Sequence, residues 1–385
     1  MNLSNPRSRM KIAIQVADLD HKRIDGTRVY IFNLLKNFGR LDSGSDFALY
    51  HRDDFNPELA PPNFANYAAI RKPFPFLWTQ IRLAYELWRN TPDVLWMPMS
   101  ALPIIRRKKM KTVITIHDLA FKYFPEHFPA KDLRKLNFFA DYSIRAADKI
   151  IAISEATKKD ILKLYPGIKA EKIRVIYHGF SPDVFSQPRD AAREAEIKKE
   201  LGIAGSYIIY IGAIQPRKNL NTLIKAFEML KNQAQNEDHP DDLELVIVGE
   251  KAWLSEGTVE LARQSRFASA IKMPGRLRFD DLGHLCRGAG VFVFPPLYEG
   301  FGIPVLEAMA ARVPVICADN SSLPEVGGEA CLYFKAADPE DLARKIKRVL
   351  GDGGLRAELV AKGQEQIKKF SWEKCARETL DYLKN

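Results

Sequence analysis

Residues 290–319 have the sequence GVFVFPPLYEGFGIPVLEAMAARVPVICAD, and this stretch predicts the fold of the chain. Two apolar strands, at 290–295 and 313–319, enclose a glycine-containing loop and a helix that runs from Val305 to Ala311. Apolar strands that alternate with helices are typical of a parallel sheet covered on both faces. The stretch therefore indicates a doubly wound α/β architecture.

The same alternation continues on both sides of this stretch. Further strands are predicted at residues 11–17, 93–98, 111–118, 149–154, 173–179, 207–212, 243–249 and 270–275. Helices are predicted at residues 29–38, 132–147, 155–165, 219–230 and 372–385, with Ser154 and Ser371 as N-caps. A length of 385 residues favours two domains, and the polar, proline-containing segment 181–206 is predicted to connect them.

Two carboxylates flank the Gly-Phe-Gly loop. Glu299 precedes the loop, and Glu307 lies about one turn into the predicted helix. Pro304 suits the first helical position, and a helix start favours phosphate because its N–H groups are unpaired. Gly300 and Gly302 let a ligand lie on the backbone. A nucleotide-sugar, which is a diphosphate with a hydroxyl-rich group at each end, fits this arrangement; the alternative is a helix cap and a solvent-facing glutamate.

Other candidate groups follow predicted strands. Arg217 and Lys218 lie in the loop after the 207–212 strand, where two cations can neutralise a diphosphate leaving group, unless the loop is simply solvated. His117 ends another strand, at the sheet edge where catalytic groups concentrate, or else it packs against the sheet. Gly26 opens the first helix and lets a substrate approach the backbone, or else it belongs to an ordinary turn.

Asp18-Leu19-Asp20 matches the D-x-D pattern that holds a divalent metal in some sugar-transferring enzymes. Two oxygen ligands alone make a poor magnesium site unless a phosphate completes it. The pattern also lies in the half of the chain that lacks the phosphate loops. We therefore predict no metal site.

The net charge of +10 is unevenly distributed. Residues 1–190 hold 31 basic and 20 acidic side chains, whereas residues 191–385 hold 27 and 28. A basic first half favours an anionic membrane or a phosphorylated substrate, and nucleic acid is not expected because no recognised binding module is present. Neither a secretory signal nor an apolar run of about 18 residues is found, so a cytoplasmic protein is expected.

Residues 74–90 place Trp78, Ile81, Tyr85 and Trp88 at helical spacing, and Arg106-Arg107-Lys108-Lys109 follows shortly after. One interpretation is a surface that touches anionic lipid, which would make the protein peripheral at the inner face of a membrane. The other is the buried face of a core helix.

Taken together, these motifs resemble the large bacterial family 4 of retaining glycosyltransferases. The similarity covers nearly the whole chain and rests on TIHDLAF (115–121), IAISEATKKDI (151–161), VIYHGF (175–180), GAIQPRKNLNTLIKAF (212–227), LYEGFGIPVLEAMA (297–310) and SSLPEVGGEACLYF (321–334). The resemblance implies the α/β GT-B fold, with two doubly wound Rossmann-like domains facing across a cleft. It implies an acceptor-binding domain at 1–190, a donor-binding domain at 191–369, and a helix at 370–385 that crosses back to the first domain.

The resemblance also implies roles for individual residues. Glu299 would contact hydroxyls of the donor sugar, and Glu307 would contact the ribose. Arg217 and Lys218 would bind the diphosphate, and His117 would lie near the reacting centre. Backbone groups at Phe301, Gly302 and Ile303 would help to hold the sugar and phosphate. Gly212 would also line the binding site, and Gly26 would belong to the loop between donor and acceptor.

The implied activity is a metal-independent, retaining hexosyltransferase that needs no cofactor, since the nucleotide-sugar donor is a substrate. Mannose from GDP-mannose is the first expectation and a UDP-sugar the second. The acceptor would be a glycan or lipid-linked glycan in cell-surface polysaccharide or glycolipid synthesis. A sugar-nucleotide epimerase and a non-catalytic scaffold of the same fold remain alternatives, whereas a dehydrogenase is excluded because no G-x-G-x-x-G follows the first strand.

Overall fold

The computed structural model describes residues 9–236 and 242–385, which form two compact units. The first unit contains the chain up to Leu119, then Arg134–Gly179 and Ser371–Asn385. The second unit contains Ala120–Leu133 and Phe180–Phe370.

Within the described part of the first unit, seven parallel strands form one sheet in the order β3-β2-β1-β4-β5-β6-β7. The strands are β1 Met10–Gln15, β2 Ser45–His51, β3 Tyr67–Arg71, β4 Val94–Met97, β5 Lys111–Ile116, β6 Lys149–Ala152 and β7 Ile173–Val175. Its helices are α1 Gly26–Leu41, α2 Ala84–Arg89, α4 Ala130–Ala146, which begins in the second unit, α5 Glu155–Leu164 and α15 Trp372–Lys384. The central strands β1, β4, β5 and β6 are largely apolar and buried, because helices cover both faces of the sheet.

The second unit repeats this plan. Its described residues form a parallel sheet of six strands in the order β10-β9-β8-β11-β12-β13. The strands are β8 Tyr207–Ile211, β9 Glu244–Val248, β10 Ile271–Gly275, β11 Val291–Phe294, β12 Val315–Ala318 and β13 Cys331–Phe334. Its helices are α3 Ala120–Tyr123, α6 Pro182–Phe185, α7 Ala191–Glu200, α8 Leu220–Asn236, α9 Glu256–Gln264, α10 Phe279–Arg287, α11 Ile303–Ala310, α12 Leu323–Gly327, α13 Pro339–Gly351 and α14 Gly353–Gln366.

The predicted α/β class and parallel sheets are confirmed, but β2, β3 and β13 had not been predicted. β3 borders the sheet and exposes several of its side chains, so it lacks the continuous apolar run of a central strand. β13 also borders its sheet, and its two middle side chains are only half-buried. Such short or polar segments carry a weak periodicity signal.

The units differ from the predicted domain ranges in two places. The segment 181–206, predicted as a connection, contains α6 and α7, and Phe185 of α6 is fully buried against Phe279 in the second unit. Residues 120–133 also belong to the second unit, where the Trp253 indole donates to the carbonyl of His127 at 2.7 Å. Apolar and aromatic packing therefore outweighs the local polarity that suggested a linker.

The last helix, α15, belongs to the first unit. The Tyr382 hydroxyl donates to the Lys172 carbonyl at 2.8 Å, and Lys149 Nζ donates to the Tyr382 carbonyl at 2.9 Å. The predicted N-caps are confirmed, because the hydroxyls of Ser154 and Ser371 accept from backbone N–H groups three residues later. None of the helices in the described ranges has the length and apolar character needed to cross a membrane.

Candidate functional site

A cluster of opposite charges lies at the carboxyl end of the second sheet, where ligands bind in folds of this class. Arg217 and Lys218 lie on a short turn, Pro216–Lys218, that follows β8. Glu299 lies in the loop after β11. Lys218 Nζ is 2.5 Å and Arg217 Nη1 is 3.4 Å from the same carboxylate oxygen, Oε2 of Glu299.

The cluster is largely buried, which sets its ionisation. The side chains of Lys218, Arg217 and Glu299 are 11%, 13% and 17% exposed. Burial by itself would raise the pKa of Glu299, but the charges and hydrogen bonds of Lys218 and Arg217 outweigh it and lower that pKa. Two cations facing one carboxylate leave a net positive charge that can bind a phosphate group.

The loop that carries Glu299 is held by two serines from the loop after β12. The backbone N–H of Glu299 donates to the Ser321 hydroxyl at 2.9 Å. The Ser322 hydroxyl, which is fully buried, lies 2.8 Å from the Glu299 carbonyl and 2.9 Å from the Phe301 carbonyl. The conformation of this loop is therefore held by the protein's own hydrogen bonds.

Asn219 connects three loops at this edge of the sheet. Its φ of 55° is left-handed, a conformation that asparagine tolerates better than most residues. Its amide nitrogen donates to the carbonyls of Pro295 at 3.0 Å and Ala336 at 2.6 Å. The asparagine thereby fixes the position of the Arg217–Lys218 turn relative to the glutamate loop.

The helix after the glutamate loop, α11, begins at Ile303, two residues earlier than predicted. Gly302 precedes it with a φ of 105°, and an added Cβ there would lie 2.8 Å from a Leu323 methyl carbon. Phe301 is 3% exposed and packs edge-on against Phe370, so it can offer a ligand only its backbone. The Phe301 side chain is packed away and position 302 has no room for a Cβ, which leaves backbone groups to face a ligand.

Glu307 lies one turn into α11 and is half-buried. Its carboxylate has no hydrogen bond or ion pair with any residue described in the structure. Burial raises its pKa to about 7. A carboxylate that is partly removed from water without a partner is well suited to accept hydrogen bonds from ligand hydroxyls.

Glycines occupy the ends of the strands beside the cluster. Gly212 follows β8 with a φ of 153°, and an added Cβ would lie 2.6 Å from the Tyr210 hydroxyl. Gly249 follows β9 with a φ of 155°, and there an added Cβ would lie 1.9 Å from the Gly212 carbonyl oxygen. This part of the sheet edge therefore presents backbone atoms only.

In the first unit, His117 follows β5 and its Nε2 is 2.9 Å from the Pro98 carbonyl oxygen. Burial lowers the pKa of His117, which favours the neutral imidazole. A carbonyl oxygen only accepts, so Nε2 carries the proton and Nδ1 has the lone pair. His117 is therefore arranged to accept a hydrogen bond through Nδ1.

A second histidine, which the sequence analysis did not select, lies beside the first. His178 is 4% exposed and stacks on the Tyr30 ring with centroids 4.6 Å apart; the His117 and His178 centroids are 5.5 Å apart. Burial lowers the pKa of His178 well below its usual range. The signal in the sequence was its place directly after β7 in VIYHGF, at the same sheet edge as His117.

Gly26 is the first residue of α1, and the Asp25 side chain caps that helix. An added Cβ at Gly26 would meet no atom within 4 Å, so the space beside it is open. Both Asp25 and Asp18 lie close enough to His117 to act on its charge. Gly26 and His117 thus lie in one region of the first unit.

The D-x-D pattern has a structural role. The Asp20 carboxylate accepts from the backbone N–H groups of Arg52 at 2.9 Å and Asp53 at 2.8 Å, which joins two loops. Across residues 9–236 and 242–385, no group of three or more His, Cys, Asp or Glu side chains is placed to hold a metal ion.

The predicted site residues thus fall into two groups. Eight lie in the second unit, at the carboxyl end of its sheet or on α11: Gly212, Arg217, Lys218, Glu299, Phe301, Gly302, Ile303 and Glu307. The other two, Gly26 and His117, lie in the first unit.

Two sequence families match this chain. Residues 193–366 match the family described as Glycosyl transferases group 1, and residues 24–184 match Glycosyltransferase Family 4. The first match contains all eight candidate residues of the second unit, and the second contains Gly26 and His117.

Individual glycosyltransferases are also similar to this chain. O-antigen chain mannosyltransferase B of Escherichia coli is 31% identical over 275 residues, which cover 71% of this chain and 70% of that protein. The serotype-specific mannosyltransferase WbdA of Escherichia coli is 29% identical over 283 residues, and the match spans only 33% of its length. Anabaena HepE, whose crystal structure contains UDP and glucose, has a TM-score of 0.73 at 19% identity, covering 98% of this chain and 100% of HepE, and shares its fold.

Proposed function

Because the chain belongs to the group 1 glycosyltransferases of family 4 and has their GT-B fold, we propose that it transfers mannose from GDP-mannose. The acceptor is a glycan or a lipid-linked glycan, and the product contributes to a cell-surface polysaccharide or glycolipid such as O-antigen. The names of both Escherichia coli relatives support mannose as the transferred sugar, and the name of the first supports O-antigen as the product. The reaction takes place in the cytoplasm, with the protein peripheral at the inner face of a membrane.

The observation that carries this proposal is the arrangement around Glu299. Arg217 and Lys218, on the turn after β8, both pair with one carboxylate oxygen of Glu299. The Glu299 loop leads directly into α11, where Glu307 has no protein partner in the described residues. Lys218 and Arg217 bind the diphosphate, and Glu299 accepts from hydroxyls of the sugar. Glu307 accepts from the ribose hydroxyls. Each of these charged side chains would thus bind one part of a nucleotide-sugar: the diphosphate, the sugar or the ribose.

The chemistry requires stabilisation of the departing nucleoside diphosphate. The bond between the anomeric carbon and the phosphate oxygen breaks, and a bond to the acceptor oxygen forms on the same face. The acceptor proton passes to the departing phosphate oxygen, so the configuration is retained without an enzyme nucleophile. Lys218 and Arg217 offset the developing charge, and transfer proceeds without a metal.

The first test is thermal denaturation of the protein with GDP, UDP or ADP. We expect GDP to raise the Tm most, and we expect Glu307→Ala and Lys218→Ala to lose that rise. Glu340→Ala removes an exposed glutamate from the first turn of α13 and serves as the matched control. No rise with any of the three nucleotides would contradict a nucleotide-sugar site and favour a non-catalytic scaffold.

The second test concerns transfer itself. GDP-mannose is incubated with a lipid-linked glycan acceptor in the presence of EDTA, and the new linkage is identified by NMR. We expect an α-mannosidic product, because the donor is an α-linked sugar and the configuration is retained. A β-linked product would contradict retention, loss of activity in EDTA would contradict metal independence, and use of UDP-sugars alone would replace GDP-mannose as the donor.

A further inference from the structure

The helical segment that contains α2 is apolar on two faces. A π-helical turn, Thr79–Leu83, leads into α2, and Leu83 and Leu87 are 0% and 1% exposed in the core of the first unit. The opposite face exposes three large side chains by 41%, 51% and 48%: Ile81, Tyr85 and Trp88. A surface helix needs one apolar face to pack against its own domain. The second apolar face is therefore not required by the fold.

This finding corrects one of the two interpretations of the sequence. Of the four large side chains at helical spacing, only Trp78 is buried, at 7% exposure. Its indole donates to the Lys72 carbonyl at 2.6 Å. The interpretation of the whole stripe as a core face is wrong, because Leu83 and Leu87 already supply the core contacts.

Neighbouring segments extend the exposed apolar surface. Phe76 and Leu77 are each 61% exposed, and Ile104 and Ile105 are 46% and 67% exposed. The Gln80 side chain joins the two segments, since it donates to the Leu102 carbonyl at 3.2 Å and accepts from the Ile104 N–H at 3.0 Å. We call these seven exposed residues the apolar patch: Phe76, Leu77, Ile81, Tyr85, Trp88, Ile104 and Ile105.

Basic residues accompany the apolar patch. Residues 72–110 hold seven Lys and Arg side chains but only two acidic residues, Glu86 and Asp93. Glu86 is buried and paired with Arg82 at 2.7 Å, and Asp93 accepts from the backbone of Lys11 at 2.8 Å. Both acidic groups are thus occupied within the unit, and the charge left at the surface is positive.

Among the cations of the 106–109 segment, Arg106 is bonded within the unit, to the Tyr142 hydroxyl at 2.6 Å and the Ala146 carbonyl at 2.8 Å, whereas Arg107, Lys108 and Lys109 accompany the patch. The Arg107 guanidinium carbon is 5.2 Å from the centroid of the Trp88 ring. Lys108 and Lys109 are exposed, and neither side chain makes a hydrogen bond or ion pair with residues in the described ranges. A set of aromatic and aliphatic side chains beside unpaired lysines is the composition of surfaces that lie in the boundary between lipid headgroups and acyl chains.

We infer that the apolar patch and the adjoining Lys108 and Lys109 dock on an anionic lipid bilayer. The exposed apolar side chains enter the headgroup region, and the lysines bind the lipid phosphates. A second copy of the chain is a less suitable occupant, because a symmetric pair would bring two sets of lysines together. An anionic membrane instead complements both the apolar and the charged part of the surface.

The test is co-sedimentation of the full chain with vesicles of phosphatidylcholine alone or with about 30% phosphatidylglycerol. We expect binding to the anionic vesicles that weakens at high salt, and little binding to the neutral ones. No substrate is present, so the result is independent of the proposed transfer reaction. Equal binding to both vesicle types, or no binding to either, would overturn the inference.

A matched pair of substitutions tests the apolar contribution. Leu77 and Leu254 both have a left-handed φ, of 44° and 57°, and are 61% and 48% exposed. Asparagine tolerates this conformation, so neither Leu→Asn change should unfold the protein. We expect Leu77→Asn to weaken vesicle binding about fivefold to tenfold, and Leu254→Asn in the second unit to leave it unchanged. Equal effects of the two substitutions would contradict docking through the patch.

A second pair tests the charges. Lys108→Gln with Lys109→Gln should weaken binding to anionic vesicles by about fivefold for each lysine. Lys198→Gln with Lys199→Gln, a consecutive lysine pair on α7 of the second unit, is the control and should change binding little. Light scattering without vesicles tests the alternative that a second copy of the chain binds the apolar patch. If the wild type is a dimer and Leu77→Asn is a monomer, the patch serves self-association and the inference is overturned.

Discussion

Replacement of Glu307 by glutamine should stabilise the folded protein at neutral and alkaline pH. Burial raises the pKa of Glu307 from its ordinary value of 4.5 to about 7 in the folded state. Between these two pH values the folded state holds a proton that the unfolded chain releases. The wild type therefore loses stability as the pH rises through this window, whereas glutamine does not titrate.

The magnitude follows from the size of the shift. A rise from 4.5 to about 7 corresponds to about 3 kcal/mol. Part of the side chain reaches solvent, which lowers the expected difference to about 2 kcal/mol. Glu307→Gln should thus match the wild type at about pH 4.5 and exceed its free energy of unfolding by about 2 kcal/mol at about pH 8.

Glu299→Gln is the matched control, because the same chemical change should act in the opposite direction. The pKa of Glu299 is lowered despite burial, owing to Lys218 and Arg217. Its carboxylate stabilises the fold above the ordinary value of 4.5, and this contribution is lost as the pH falls through the lowered pKa. At about pH 8, Glu299→Gln should therefore destabilise the protein, because Lys218 and Arg217 lose their ion pairs with this carboxylate.

The assay is equilibrium urea unfolding of the three proteins at about pH 5 and about pH 8, followed by circular dichroism. Differences from the wild type at each pH remove the contribution of all other titrating groups. A Glu307→Gln effect that is the same at both pH values would refute the inference that the carboxylate is buried without a partner. Stabilisation by Glu299→Gln at the higher pH would refute the role assigned to the two cations.

The remaining predictions concern the proposed ligand contacts and one helix cap. Gly26→Ala should leave the Tm unchanged, because the added Cβ meets no protein atom within 4 Å, but it should lower kcat/KM, because the Cβ enters the space proposed for the substrate. Gly212→Ala should lower the Tm, because the added Cβ would lie 2.6 Å from the Tyr210 hydroxyl. His117→Asn places an amide oxygen near the position of Nδ1 and keeps the acceptor, whereas His117→Gln keeps only the donor near the position of Nε2. The Asn variant should therefore retain more transferase activity than the Gln variant, and the reverse order would contradict the assigned tautomer. Ser371→Ala should cost about 1 kcal/mol in urea unfolding through loss of the cap of α15, and no loss would argue against that cap.

Much of the fold was predictable because it depends on local patterns. The β11 to β12 stretch was assigned correctly from continuous apolar runs, since such runs are what a parallel sheet buried on both faces requires. β3 was missed because it borders the sheet and keeps polar and exposed positions. The helices at 182–185 and 191–200 were missed because their sequence is polar and their stability comes from packing on the second unit.

The candidate site, like the fold, was only partly predictable from the sequence. Strand ends and glycine positions identified the loops of Glu299, Lys218 and His117, because parallel strands bring their carboxyl ends to one edge. His178 was missed as a neighbour of His117, because the two residues are distant in sequence and meet only through the order of β5, β6 and β7.

The sequence by itself determined the class of fold, the family and the residues that occupy the ends of the strands. The tertiary structure decided the state of each group, because burial and charge partners depend on residues far apart in the chain. Glu299 and Glu307 are the same residue type in one motif, yet the cations of the β8 loop lower the pKa of the first while burial alone raises that of the second. The apolar stripe around Trp88 likewise faces solvent only because Leu83 and Leu87 occupy the core.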